Sequence, residues 1–430
     1  MTAITPEPQE WSALSKIAFR FFFVFFVLYV ILQPNGIIPF SDAINEWYLH
    51  PMVLFIPWLA KHLLHLKVVV FSYESGSGDR AFDYLVYLLI FIVSAIATAI
   101  WSVTGRLTNN YNKLYYWLCV VVRYYAGITM LTYGGVKVIK LQFADPTPMR
   151  LLEPVGDLSP FSLAWTYMGH SVGFNYFAGI AELTCGFLMF WRRTTTLGAV
   201  IGFVVAGNIV AINYCFDVCV KLLATNLTFM FLFLMVKDSG RLINVFLANK
   251  TAPPADLSPH RFKARWKNIT LNTVKYVLLV YVVAGDAYNF LNAEKKYGDN
   301  SKKPPLYGIY NVQYFIRNKD TLPPLTTDTI RWGKLMINKY DDGAVKLMND
   351  TVKYYSIKCD SVKHLLKINS YTDTLHKFDL NYTLDKSGGL TLKGVWKKAW
   401  VEVKLAKYDM KKFTLINRGF HWVNENAYSK

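Results

Sequence analysis

Residues 121–140, VVRYYAGITMLTYGGVKVIK, and 176–193, YFAGIAELTCGFLMFWRR, are two apolar stretches of membrane length. Each carries an ionisable residue well inside it, Arg123 in the first and Glu182 in the second. An unmatched charge at mid-bilayer costs at least about 3 kcal/mol, so each needs a partner or a wet cavity. On helical geometry Arg123, Gly127, Met130, Gly134 and Lys137 share one face of the first stretch. Asn175, Gly179, Glu182 and Gly186 share one face of the second. Small residues let helix backbones approach closely, so the two polar stripes are expected to face each other. At about 1.5 Å per residue Glu182 lies roughly 13 Å below the outer boundary. Arg123 lies about 12 Å above the inner one, in a core about 30 Å thick. The two depths agree to a few ångströms, and the sequence predicts an Arg123–Glu182 pair. It serves either as a structural ion pair that fixes helix packing or as a buried acid whose proton is used, with Arg123 holding it or its ligand.

Around that pair the chain of 430 residues is 53% hydrophobic and only 18% charged. A soluble domain sits nearer 25% charged. Further apolar segments at about 17–34, 82–104, 196–215, 220–236 and 272–290 bring the expected spans, with 115–139 and 173–191, to about seven. The run WLAKHLLHLKV, 58–68, reads as a helix lying on the membrane surface. Gly76-Ser77-Gly78-Asp79 reads as a turn or N-cap into the second span. Residues 140–171, with LQFADPTP and GDLSP, read as a polar, Pro-rich connection. Lys and Arg concentrate in the 2–3, 4–5 and 6–7 connections, and Lys16 and Arg20 agree with them. That bias predicts a cytoplasmic N-terminus and an extracytoplasmic tail.

The net charge of +18 is uneven: from Asn292 onward 25 Lys/Arg face 14 Asp/Glu. The period changes there as well. YNVQYFI, TVKYYSIK, HKFDLNYT and WVEVKLAK alternate apolar and polar residues between turn residues. Two domains are expected: a helical membrane domain over 1–291, and an antiparallel β barrel or sandwich of eight or nine short strands over 305–430. The terminal Arg418-Gly419-Phe420-His421-Trp422 reads as a plug or a membrane-facing edge. The five cysteines have no metal-site spacing, and no metal centre is expected. Orientation accounts for the basic loops, so nucleic acid is not an expected partner.

The outer ends of the spans are the richer in polar residues. Lys137, Gln142, Asp157, His170, Asn213, Asp217 and Lys221 are expected at that face, with Asn208 deeper, as the lining of an outward-facing pocket. Lys137 either snorkels to the headgroups or serves as the cation for an anionic or quinone-oxygen ligand. The opposite ends read as simple basic anchors. Cys215 and Cys219, four apart at the outer face, form a candidate redox pair beside the bland reading of small apolar fillers.

Over about 115–237 the chain resembles the DoxX family of bacterial membrane proteins. The resemblance rests on the Arg123–Gly127 helix, the Gly-x-x-Lys element ending at Lys137 and the Phe177-x-Gly179-x-x-Glu182 run. It also rests on Gly186 and the Arg-Thr-x-x-Leu-Gly start of the fifth span. LQFADP, GDLSP, RRTTTLG, FDVCVKL and RGFHW make it similar to large DoxX-like proteins with extra spans and an extracytoplasmic C-terminal domain. The resemblance implies a bacterial inner membrane, and a relationship to the small subunit of a thiosulfate:quinone oxidoreductase and to redox-associated membrane complexes. The expected function is therefore a quinone-linked or redox-associated membrane subunit, with Glu182, Arg123 and Lys137 as its chemically active residues and a quinone as its ligand. DoxX domains have four spans, and this chain adds about three. A vitamin K-dependent carboxylase-like membrane enzyme is a second reading by fold-level analogy. A non-enzymatic envelope protein binding a partner through 305–430 is the third.

Overall fold

The computed structural model describes residues 10–68, 70, 72–73, 78–255, 257, 262–371 and 377–428. Gly76, Ser77, Arg261 and the first nine residues of the N-terminal arm lie outside them. The helices are α1 (Ala13–Leu32), α2 (Asp42–Leu63), α3 (Ala81–Thr104), α4 (Asn112–Val138), α5 (Pro148–Leu152) and α6 (Pro160–His170). They continue as α7 (Val172–Met189), α8 (Thr195–Cys215), α9 (Lys221–Val236), α10 (Ser239–Phe246) and α11 (Arg265–Tyr297). Nine strands follow among the described residues: β1 (Gly308–Arg317), β2 (Asp320–Thr321), β3 (Trp332–Ile337), β4 (Asp342–Leu347) and β5 (Val352–Asp360), then β6 (Leu365–Ser370), β7 (Lys377–Leu384), β8 (Leu390–Trp396) and β9 (Ala399–Tyr408). A last short helix is α12 (Thr414–Asn417).

The protein is a helical transmembrane bundle followed by a β barrel. Among the described residues six helices (α1, α3, α4, α7, α8 and α11) are long and apolar enough to cross a membrane. A seventh span counts if α9 and α10, bent by 84° where they meet, are taken together. The surface helix expected at 58–68 starts earlier and becomes the 22-residue α2, with Pro51 and Pro57 inside it. Helix starts follow local chemistry. Ser12 accepts a hydrogen bond from the Ser15 amide to open α1, and Gln33-Pro34 closes it. The Arg80 amide donates to Asp83 at the start of α3. Asp79 caps a different helix: its carboxylate accepts from the amides of Lys221 and Leu222, at 2.8 and 3.1 Å, and holds the N-terminus of α9.

The chain divides into two compact units, and the division departs from a simple sequential one. One unit comprises 1–142 and 172–294; the other comprises 143–171 and 295–430. The connection 143–171 is not a plain loop. Thr147 and Ser159 each cap a helix whose first residue is a proline, Pro148 in α5 and Pro160 in α6. Proline at that position has no amide hydrogen to lose and a backbone already set for the helix.

In the second unit the strands run antiparallel in the order β2-β1-β3-β4-β5-β6-β7-β8-β9, and β9 pairs back onto β1. Eight strands thus close an up-and-down barrel, with the two-residue β2 as an appendage. Closure removes the free edges that a flat sheet would expose. The interior is filled rather than hollow. Phe315, Trp332, Tyr355, Phe378 and Trp396 pack there, with the Trp396 ring 4.2 Å from Phe378 and 4.9 Å from Trp332. Arg331 is buried beside them and donates to the carbonyls of Leu322, Trp332 and Gln313. The RGFHW segment is neither strand nor plug within this unit: Phe420 and Trp422 are exposed.

Candidate functional site

Helices α4 and α7 pack antiparallel at very close range, with their glycines at the contact. A Cβ at Gly134 would lie 2.8 Å from the Gly179 carbonyl oxygen, and one at Gly179 would lie 2.8 Å from that of Gly134. Gly127 and Gly186 form a second such crossing, with the Gly127 carbonyl 2.9 Å from a Cβ on Gly186. The glycines therefore set how near the polar residues of the two helices come.

Glu182 does not meet Arg123. Its partner is Lys137, whose Nζ stands 2.8 Å from Oε1 and 2.9 Å from Oε2, with both side chains buried. The expected Arg123–Glu182 pair is corrected by side-chain direction. A helical side chain leans toward the N-terminus of its own helix. Lys137, in the last turn of α4, leans back into the bundle. Glu182, on an antiparallel helix, leans toward the end where Lys137 starts. Arg123 leans the other way, donating from Nη1 to Thr195 Oγ1 at 3.3 Å with its guanidinium 5.2 Å from the Tyr124 ring centre. Depth counted along Cα positions ignored this opposite tilt. Lys137 does not snorkel outward; its stem carries the ammonium inward.

A set of tyrosines that the sequence reading missed lies beside the ion pair. Tyr133, whose ring centre is 5.7 Å from Lys137 Nζ, lines a cavity of about 210 Å³ with Tyr29, Tyr73, Tyr87, Asn35 and Arg80. Tyr87 donates to Asn226 Oδ1 at 3.1 Å, and the Tyr125 hydroxyl binds the Gln33 carbonyl at 2.7 Å. The signal was present: Tyr29, Tyr87, Tyr125 and Asn226 all sit inside apolar spans, where a polar atom needs a partner. Asp286 of α11 is buried and accepts from Thr132 Oγ1 at 2.7 Å.

The proposed outer lining does not assemble as one pocket. Asn213, Asp217 and Lys221 form the α8–α9 turn, where Lys221 Nζ binds Asp217 at 2.9 Å and Asp79 at 3.6 Å. Asn213 donates to the Val220 carbonyl at 3.2 Å. These groups satisfy one another, as turn residues do. Asn208 is exposed on α8, and Gln142 is half-buried with an Oε1 that has no hydrogen-bond partner among the described residues. Asp157 and His170 belong to the barrel unit. Asp157 is exposed; His170 lines a cavity of about 490 Å³ with Asp145, Asp299, Lys303, Tyr307 and Lys339. Burial first, then the charges of Asp145 and Asp299, hold the Tyr307 hydroxyl above its ordinary pKa. Cys215 is exposed and Cys219 half-buried, and among the described residues no disulfide joins them.

A larger cavity opens at the other end of the bundle, which the sequence read as simple anchors. It encloses about 1000 Å³ between the starts of α4 and α8, the end of α9, α10, and Ala252, Ala255 and Leu257. Arg123 lines it and also lines a neighbouring cavity of about 670 Å³. Basic residues at one end of a bundle satisfy the orientation rule whether they enclose a space or not, so the sequence alone did not separate the two.

No family model matches the chain, and no solved structure matches it. A relative is the uncharacterized protein YwoB of Bacillus subtilis (strain 168), 36% identical over 142 residues. Those residues are 33% of this chain and 88% of YwoB. A shared stretch of that identity, spanning nearly the whole of the shorter protein, makes this chain a member of the YwoB family.

Proposed function

We propose that the chain is a DoxX-like, quinone-linked or redox-associated subunit of a bacterial cytoplasmic membrane, with its N-terminus in the cytoplasm and its barrel outside. The observation that carries this reading is the buried Lys137–Glu182 pair beside the tyrosine-lined cavity. A quinone ring needs a flat, mostly apolar slot with hydrogen-bond donors for its two oxygens. Tyr133 offers a hydroxyl on the cavity wall, where Tyr87 and Asn35 are held by their bonds to Asn226, Gln33 and Tyr125, and the volume suits a ring whose tail stays in lipid. The bound quinone would supply the redox chemistry. The chain's own part is to orient the ring and to keep a carboxylate and an ammonium close by in a site shielded from water. Lys137 meets Glu182 there by charge and hydrogen bonding.

The test is organic extraction of the purified protein, followed by quantitation of bound quinone. Copurified quinone that falls at least about tenfold in Tyr133→Phe and Lys137→Gln supports the reading. Protein that carries no quinone, and takes up no added short-chain quinone, ends it.

The packed barrel favours a companion role. Its interior is full of Trp332, Phe315 and Trp396, so recognition is left to its outer surface and rims. An envelope protein bound through 305–430 fits that arrangement. Crosslinking in intact cells, compared between the full chain and one with exposed barrel lysines replaced, would reveal such a partner or its absence.

A further inference from the structure

Two arginines are buried in the helical unit, and they are treated differently. Arg20 of α1 is fully engaged: Nε and Nη2 donate to the Tyr111 hydroxyl at 3.0 and 2.8 Å, Nη1 to Ser102 Oγ at 2.9 Å, and Nη2 to the Gly105 carbonyl at 3.1 Å. That is a structural arginine with its donors matched. Arg123 is 8% exposed, yet its Nε has no hydrogen-bond partner among the described residues, and its bond to Thr195 is long at 3.3 Å. A buried donor without an acceptor is destabilising unless something else supplies one. Arg123 lines the cavity of about 1000 Å³ at this end of the bundle, so an acceptor has a place to come from.

The cavity is built for an anion. Lys113, Arg123, Arg192, Arg193, Lys237 and Arg241 line it, against the single carboxylate of Asp238. That carboxylate is already taken up by Thr196 and by Arg241 at 2.9 Å. The guanidinium fork matches the oxygens of a phosphate. The remaining wall is apolar, formed by Leu234, Leu242, Val245 and Phe246. Helix α10 turns by 84° from α9 and leaves Phe246 and Leu247 exposed, as a helix lying in a membrane interface does. A volume of about 1000 Å³ exceeds what a bare phosphate fills.

We propose that this cavity binds the phosphate headgroup of an anionic phospholipid, with Arg123 as the deep contact, Arg193 and Arg241 at the mouth, and the acyl chains against the α9–α10 wall. The site lies apart from the tyrosine-lined cavity and stands whether or not a quinone binds there. The ligand closes the gap in the hydrogen bonding of Arg123 and ties the starts of α4 and α8 to α10.

The test uses the full chain in a zwitterionic detergent, with lipid binding read by native mass spectrometry and by the shift in Tm. Phosphatidylglycerol is titrated beside phosphatidylcholine and inorganic phosphate. Preferential retention of phosphatidylglycerol is expected, weakened about tenfold in Arg193→Gln/Arg241→Gln and further in Arg123→Gln. Lys363→Gln in the barrel should leave it unchanged. Equal retention of the two lipids, or unaltered binding in the Arg193/Arg241 variant, overturns the proposal. Inorganic phosphate that competes with the lipid at equal concentration overturns the lipid assignment. If Arg123→Gln does not fold, the Arg193 and Arg241 substitutions decide alone.

Discussion

Glu182 and Lys137 form an ion pair whose desolvation is offset only while both members are present. Removing one leaves a bare charge in the bundle, which typically costs about 3–5 kcal/mol. Lys137→Met and Glu182→Leu should each lower the Tm of the detergent-solubilised protein by many degrees. The double variant, which removes both charges, should recover most of that loss. If the two single effects simply add, the pair contributes nothing jointly and the geometry at 2.8 Å is without energetic meaning. The sequence disclosed that Glu182 needs a partner and that the glycine-bearing faces of its two stretches meet. It did not disclose which cation answers, because spacing along a helix fixes where a Cα sits and not where a long stem reaches. Lys137 and Arg123 tilt in opposite directions relative to Glu182, and only the antiparallel packing makes that visible.

Elements were the most legible level. Span lengths follow from apolar runs, so α1, α3, α4, α7 and α8 begin and end within a few residues of where hydropathy puts them. The Thr147-Pro148 and Ser159-Pro160 starts carried a readable signal as well, but a Pro-rich stretch between two spans reads more readily as a loop. At the α4–α7 contact, Gly134→Val would force a side chain within 3 Å of the Gly179 carbonyl and of the Leu183 amide. Overpacking of that kind costs about 1–3 kcal/mol, and thermal unfolding should show it, while Gly207→Val on an open face should not. In the barrel the β7–β8 turn depends on Asp385, which accepts from the Ser387 hydroxyl at 2.7 Å and the Gly389 amide at 2.7 Å. Those bonds hold its carboxyl below the usual carboxylate range; Asp360, bonded by the Lys363 amide, is held low likewise. A depressed pKa contributes stability that is complete above the unfolded value of about 3.9 and is lost as pH falls through the lower folded value. Tryptophan fluorescence from Trp332 and Trp396 should therefore report weakening of the barrel below about pH 4. Asp385→Asn should lower stability at neutral pH and flatten that acid limb.

At the scale of the whole molecule, strand alternation announced the barrel, but nothing local in 143–171 says that it packs with residues 295–430. That assignment rests on long-range contacts. Met149 and Leu152 cover a patch formed by Ile309, Met336 and Ala344, and the Met149 amide donates to Asn338 Oδ1 at 3.3 Å. The Asp145 amide donates to Asp299 at 3.1 Å. Residues 295–430 expressed alone should therefore be less soluble and melt at lower temperature than the same residues joined by a flexible linker to 143–171, as read by size exclusion and calorimetry. Equal behaviour would mean that the insertion adds nothing to the unit. The split order has a consequence for biosynthesis. The 143–171 segment leaves the ribosome long before its seat exists, since β9 ends at Tyr408. At ordinary elongation rates that interval is roughly 10–50 s. For that time its apolar side chains wait unsheltered while α7, α8, α9 and α11 are threaded, so the nascent chain offers a window in which chaperones or proteases compete with assembly.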